Sequence, residues 1–168
     1  MVEDLPTLKA LIDWQQQSVR VFGKIHPQPR LTCWYGPTSY LYSGLTLPAR
    51  ELPTWLEPLR RRCEQLAGEK FNSVMCNLYR DGRDSVGWHA DDEPIFRQSH
   101  AIASLSLGGT RRFLMKRRTG EDRQAFELAH GDVIVMARGM QRDWLHCVPK
   151  TKRHVAERIN LTFRSAAA

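Results

Sequence analysis

The run Arg158-Ile159-Asn160-Leu161-Thr162-Phe163-Arg164 reads as a strand with two unlike faces. Side chains alternate along a strand, so Ile159, Leu161 and Phe163 share a core face while Arg158, Asn160, Thr162 and Arg164 share the other. That second face is a row of hydrogen-bond donors with two fixed positive charges and no acid. Two guanidinium forks flanking Asn and Thr suit a small dicarboxylate. The competing reading is an ordinary exposed polar strand.

Outward from this run, the chain beyond residue 71 consists of short apolar stretches separated by turns. They cover 71–79, 101–107, 112–116, 125–128, 133–137, 145–148 and 158–163, with breaks at Gly108-Gly109, Gly120 and Gly131-Asp132. Short strands at this spacing predict an antiparallel sandwich or jelly roll, and no further helix is expected there. Two helices are expected upstream. One spans 5–17, with Asp4 as N-cap, Pro6 near its first turn and Leu8, Leu11 and Ile12 as its apolar stripe. The other spans 51–67, with Pro53 in its first turn, Trp55, Leu56, Leu59, Cys63 and Leu66 at helical spacing, and Gly68 as its C-terminal cap. Between them Val19 and Val21 alternate with polar residues up to Phe22-Gly23-Lys24. The turn-rich His26-Pro27-Gln28-Pro29-Arg30 then predicts a hairpin or an exposed loop. The fold class is mainly β with flanking helices packed on one outer face, without repeats or an interdomain linker.

Length and composition agree: 168 residues, 42% hydrophobic and 26% charged, describe one globular domain. The net charge of +7 is unevenly placed, since residues 1–99 carry 12 basic and 12 acidic side chains and residues 100–168 carry 13 and 6. Such an excess favours a polyanionic partner. No stretch approaches the roughly 18 apolar residues of a membrane span. The start, Met1-Val2-Glu3-Asp4-Leu5-Pro6, lacks the pattern of a secretory signal. An intracellular location is therefore expected, cytoplasm or nucleoid in a bacterium and nucleus in a eukaryote. Cys33, Cys63, Cys76 and Cys147 show no CxxC spacing, so reduced packing thiols are expected rather than a zinc ribbon or a disulfide framework.

Two further motifs bear on chemistry. Asn77 and Tyr79 share a strand face just before the turn Arg80-Asp81-Gly82-Arg83-Asp84. In Trp88-His89-Ala90-Asp91, an extended backbone points His89 and Asp91 the same way, so both can occupy neighbouring positions around one metal. A second histidine from a distant strand would complete a 2-His-1-carboxylate set with three open positions, the ligand set of non-haem Fe(II) oxygenases. His-x-Asp alone also fits a turn histidine beside acids. Among His100, His130, His146 and His154, His130 lies in the turn Ala129-His130-Gly131-Asp132, and His154 lies in the basic run Lys150-Thr151-Lys152-Arg153-His154. His146 lies inside an apolar strand and is the best choice for a buried ligand.

Taken in order, Asn77-x-Tyr79, His89-x-Asp91, His146 and Arg158-x-Asn160-x-Thr162-x-Arg164 resemble the AlkB family of Fe(II)/2-oxoglutarate-dependent nucleic-acid repair dioxygenases. The resemblance runs from about residue 19 to residue 164 and is strongest to the animal branch that works on double-stranded DNA. It implies one dioxygenase domain over 1–168. Residues up to about 70 would form N-terminal helices and a nucleotide-recognition hairpin or lid, and residues from about 71 to 165 a double-stranded β-helix (jelly roll).

By the same resemblance His89, Asp91 and His146 bind Fe(II). Asn77, Tyr79, Arg158, Asn160, Thr162 and Arg164 line the 2-oxoglutarate pocket, with O2 as the other co-substrate and Arg164 counted in the catalytic set. Which arginine faces which carboxylate stays open. Tyr40, Leu41 and Tyr42 correspond to the strand placed against a flipped base, and Asp92 and Glu93 to the base edge. Phe22, flanked by Gly23 and Lys24, corresponds to an apolar wedge inserted into the base stack. The implied activity is oxidative demethylation of 1-methyladenine and 3-methylcytosine in DNA, with release of formaldehyde. Its partner is methylated DNA, double-stranded, with single-stranded DNA or RNA as alternatives; no membrane is involved and a monomer is expected. Arg111, Arg112, Lys116, Arg117, Arg118, Lys150, Lys152 and Arg153 are expected to form a backbone track on the rim. The alternatives are an RNA or single-strand demethylase, a non-catalytic nucleic-acid-binding module, and a cupin-like metalloprotein acting on a small molecule.

Overall fold

The structure, a computed structural model, describes residues 4–42, 44–97 and 100–167. In chain order these form α1 (Leu5–Leu11), β1 (Ser18–Val21), β2 (Lys24–Pro27), β3 (Leu31–Tyr35), β4 (Tyr40–Tyr42) and β5 (Leu45–Leu47). A 3-10 turn at Thr54–Leu56 leads into α2 (Glu57–Ala67), followed by β6 (Ser73–Tyr79), β7 (Val86–His89), β8 (Ile102–Gly108), β9 (Arg111–Arg117) and β10 (Arg123–Leu128). The chain closes with β11 (Val133–Met136), α3 (Met140–Asp143), β12 (Trp144–Val148) and β13 (Arg158–Arg164).

A five-stranded sheet in the order β11-β8-β13-β6-β3 faces a four-stranded sheet in the order β10-β9-β12-β7, the two halves of a jelly roll. Their antiparallel registers bring distant sequence motifs together. Arg158 pairs with Tyr79 and Asn160 with Asn77 across β13 and β6, while His146 pairs with His89 across β12 and β7. The alternate face of β13 behaves as its pattern requires: Ile159, Leu161 and Phe163 are fully buried. They join Val74, Cys76, Leu105 and Leu107 under Leu8 of α1 and Leu59 and Cys63 of α2. Both helices thus cover the outer face of the larger sheet. Burying a side chain such as Leu59 contributes about 1.5–3 kcal/mol. All four cysteines are buried free thiols, and among the described residues no helix is long and apolar enough to cross a membrane.

Several boundaries differ from expectation. Helix α1 is capped by Asp4, whose carboxylate accepts from Thr7 N at 3.1 Å, but it stops at Leu11 rather than near residue 17. Ile12 is extended, and Gln15 exchanges backbone hydrogen bonds with Thr32 at the edge of β3. Pairing with the sheet outweighs local helix propensity there. The second helix begins at Glu57, not at residue 51, because a proline ring at 58 would clash with the carbonyl of residue 54 in a continuous α-helix. Pro58 instead sits in the first turn, and Gly68 closes the helix at φ 66° as expected. Downstream of residue 71, where no helix was expected, α3 forms one turn before β12. Strand β3, from the N-terminal part of the chain, is an integral edge of the larger sheet.

The β1–β2 hairpin turns on Phe22 and Gly23, both at positive φ (48° and 78°). Two consecutive positive φ values are what a two-residue type I′ hairpin requires. Glycine adopts this geometry freely, whereas a bulky side chain bears about 1–2 kcal/mol of strain. Phe22 is also fully solvent-exposed.

Candidate metal and dicarboxylate site

Three donors converge between the sheets. His89 ends β7, Asp91 follows two residues later, and His146 lies at the centre of β12; one donor atom from each lies within 4.8 Å of the others. His89 Nε2 is 3.8 Å from one Asp91 oxygen, and His146 Nε2 is 3.9 Å from the other. His89 Nδ1 meets the Gly87 carbonyl at 2.8 Å, which assigns the proton to Nδ1 and leaves Nε2 as the donor atom. Burial alone would push the Asp91 carboxyl up, but Arg164, His146 and His89 together hold it at about 2. Burial outweighs the attraction of Asp91 at His146 and brings that imidazole down to about 3. A carboxylate and a neutral buried imidazole are the protonation states metal binding needs. The donor chemistry fits Fe(II).

The cavity beside this cluster is lined by Asn77, Tyr79, Arg158, Asn160, Thr162 and Arg164, the full set read from the two strands. Arg158 is 1% exposed. Its Nη2 donates to Ser106 Oγ at 2.8 Å, and its guanidinium lies 5.3 Å from the Tyr79 ring centroid. Nε and Nη1 of both Arg158 and Arg164 are buried without a hydrogen-bond partner among the described residues. Buried donors left unmatched cost about 1–3 kcal/mol each, more when charged. Such a pair fits an anion with a carboxylate at each end. Burial lowers Arg158 to about 10, so it stays protonated at neutral pH. Arg164 resists the same burial because Asp91 lies 2.9 Å from its Nη2. Arg164 therefore belongs to the metal end and Arg158 to the far end. Between them Asn160 donates to Ser104 Oγ at 2.6 Å and accepts from Thr162 Oγ1 at 2.9 Å, fixing the polar floor.

The remaining expected residues divide. Phe22, Gly23 and Lys24 are exposed at the hairpin tip. Tyr40 lines the cavity but is 1% exposed, its ring packed at 4.9 Å from Trp34 and 5.1 Å from Phe96. Its hydroxyl donates to Glu93 Oε1 at 2.8 Å, so Glu93 holds Tyr40. Leu41 is exposed in β4, and the side chain of Tyr42 lies outside the described residues. Asp92, expected at the base edge, is exposed and meets Arg118 at 2.6 Å. Arg111, expected on the rim, is 3% exposed. It donates to the carbonyls of Asp81, Asp84 and Pro149 and lies 5.4 Å from the Tyr79 ring centroid. Tyr79 thus contacts two buried guanidinium groups. On the rim Arg112 lies 3.5 Å from Glu127, Arg117 lies 3.4 Å from Asp122 and Lys116 sits over Trp88. Lys150, Lys152 and Arg153 are exposed.

The other histidines stay away from the cluster. His100 lies 4.0 Å from Glu69, His130 accepts from Gly108 N at 3.0 Å, and His154 is exposed. Two site residues gave no advance sign. Arg30 lines the cavity and donates to Asn77 Oδ1 at 3.0 Å and to the Ser85 carbonyl at 3.3 Å. Gln141, in α3, accepts from the Asp91 backbone N–H at 2.9 Å.

Comparison with known proteins gives a consistent result. Residues 2–164 match the family described as 2OG-Fe(II) oxygenase superfamily. The chain is 41% identical over 166 residues to the rat alpha-ketoglutarate-dependent dioxygenase alkB homolog 3, covering 92% of this chain and 56% of that protein. It is 37% identical over 182 residues to the DNA oxidative demethylase ALKBH2 of Arabidopsis thaliana, covering 91% and 58%. The human protein of the same name is 36% identical over 156 residues, covering 87% and 60%. The chain thus spans little more than half the length of these relatives. The solved structure of OsALKBH1 superimposes with a TM-score of 0.59 at 19% identity, covering 90% of this chain and 81% of that one, a likeness of fold.

Proposed function

Because the chain belongs to the 2OG-Fe(II) oxygenase superfamily, on its AlkB side, we propose that it oxidatively removes N-methyl groups from the pairing edge of DNA bases. One observation carries this reading: a single cavity holds a His-Asp-His cluster at one end and, along its wall, two buried arginines with donors to spare. His89, Asp91 and His146 hold Fe(II). Arg158 takes the distal carboxylate of 2-oxoglutarate and Arg164 the carboxylate nearer the metal, with Asn77, Tyr79, Asn160 and Thr162 fixing the chain between. The bound iron, with 2-oxoglutarate and O2, supplies hydroxylation of the N-methyl carbon, one oxygen atom going to succinate as CO2 is lost and the other leaving in formaldehyde.

The protein's own residues supply position and exclusion of water. Tyr40, held by Glu93 and its aromatic neighbours, forms a fixed apolar wall beside the metal cluster. Bases methylated on their pairing edge are cationic and pair poorly, so they are cheaper to flip. Phe22 fills the gap a flipped base leaves, offsetting part of an unstacking cost of a few kcal/mol; its full exposure at a preset turn supports duplex DNA as the substrate. Lys24 beside it and the exposed Lys150, Lys152 and Arg153 hold phosphates.

The test is formaldehyde release from single- and double-stranded oligonucleotides bearing 1-methyladenine or 3-methylcytosine. Asp91→Ala should abolish release on all of them; undiminished activity in that variant overturns the assignment. Phe22→Ala should lose activity on duplex and keep it on single strands, and an equal loss on both removes the wedge.

A further inference from the structure

One residue near the metal cluster does not itself line the cavity, yet it bonds to the loop that carries Asp91. Gln141 lies in the single turn of α3 immediately before β12, the strand of His146. It is 6% exposed. Its Oε1 accepts the backbone N–H of Asp91 at 2.9 Å, a contact across fifty residues of chain. Its Nε2 points to the Met136 sulfur at 3.4 Å. A thioether is a weak acceptor, so the amide is oriented by the Asp91 N–H rather than by sulfur. Outside this buried bond, Arg118 Nη2 spans the Gln141 carbonyl at 3.3 Å and Asp92 at 2.6 Å. That outer contact is exposed and worth little. The buried amide is what ties the loop of one ligand to the strand of another.

We infer that Gln141 is a positioning residue for the metal site, holding the Asp91 carboxylate in register with His89 and His146. The inference rests on the metal-binding reading of those three residues. Partners behind a ligand typically change metal affinity about 10–100-fold when removed. The alternative is that Gln141 only packs α3 against β11.

The two roles predict opposite orders of substituents. Mn(II) alone, as a redox-silent probe, is titrated into the metal-free 168-residue chain as wild type, Q141L, Q141E and D91A, and bound metal is read by calorimetry. Positioning predicts that Q141L, which removes the acceptor, binds about 10–100-fold more weakly. Q141E keeps the acceptor and adds charge, so it should bind at least as tightly as wild type. It also predicts that the Asp91 amide loses its protection from hydrogen exchange in Q141L. A packing role predicts that the apolar Q141L is the tolerated change and the buried carboxylate of Q141E the harmful one. Equal Mn(II) affinity in Q141L and wild type, or weaker binding by Q141E than by Q141L, overturns the inference; should Q141L fail to fold, Q141E against wild type decides it. Wild type that binds no better than D91A would instead refute the metal site itself.

Discussion

Replacing Arg158 by methionine should move two measurements in opposite directions. The guanidinium is 1% exposed, bonded to Ser106 and set against Tyr79, while Nε and Nη1 have no partner among the described residues. Breaking a buried, hydrogen-bonded charge pair by removing one partner costs about 3–5 kcal/mol. At about 1.4 kcal/mol per factor of ten, Arg158→Met should weaken 2-oxoglutarate binding by about 10² to 4 × 10³-fold. Without ligand the sign reverses. Exchanging a poorly matched buried ion for an apolar side chain of similar length is neutral to stabilising, by up to about 4 kcal/mol. The lost Ser106 bond, about 1 kcal/mol, offsets part of that. For a chain of this size each kcal/mol moves Tm by about 2–4 °C. The net, about −1 to +3 kcal/mol, should place the ligand-free variant between about 4 °C below and about 12 °C above wild type. Calorimetry with Mn(II)-loaded protein measures the first effect and scanning calorimetry of the ligand-free protein the second. A variant that binds 2-oxoglutarate within tenfold of wild type, or that melts more than about 8 °C lower, would refute the assignment of Arg158 to a ligand carboxylate.

Other consequences are simpler to state. Glu64 is buried, which raises its carboxyl, but Phe71 N–H, Lys70 and Arg60 together hold it below the ordinary value of 4.5. Its contribution is therefore complete above pH 4.5 and lost as pH falls through the lowered folded value. Glu64→Gln should flatten the acid limb of Tm against pH; an unchanged limb would mean these contacts add nothing. Gly109→Ala places a methyl 2.3 Å from the Ala156 carbonyl oxygen and should cost about 1–3 kcal/mol by denaturant titration; no loss would mean the 108–109 corner yields freely. Phe22→Asn suits the positive φ better than phenylalanine. It should raise stability slightly while lowering duplex activity, and loss of both would mean the ring has a packing role.

Much of the site was legible because period-two alternation needs no long-range information. Once β13 is read as a strand, Arg158, Asn160, Thr162 and Arg164 must share a face, and the same holds for Asn77 with Tyr79 and His89 with Asp91. His146 could be chosen because it lies inside an apolar strand. What escaped depends on groups distant in sequence. Arg111 belongs by type on the surface, and only the carbonyls of Asp81, Asp84 and Pro149, drawn from separate loops, make its burial tolerable. Gln141 lies in a four-residue helix too short for any periodicity to show. The contact of Asp92 with Arg118, beyond the end of β9, likewise joins groups that no local pattern connects. The first helix looked longer than it is because the competing bond, from Gln15 to Thr32, forms with a strand that begins sixteen residues after Gln15.

The β1–β2 hairpin pairs only with itself among the described strands, and an isolated two-stranded ribbon is marginal in water. Its base is fastened where Gln28 N donates to the Gln17 carbonyl and Gln16 reaches the carbonyls of Gln28 and Arg30. Among the described residues the tip has no such anchor. Arg20 and Lys24, both exposed, bracket Phe22, so trypsin should nick the chain here before the sheets yield. The rate of that first cut is a reporter of occupancy that needs no turnover: a duplex seated on the tip shields it, and a ligand confined to the cavity leaves it unchanged.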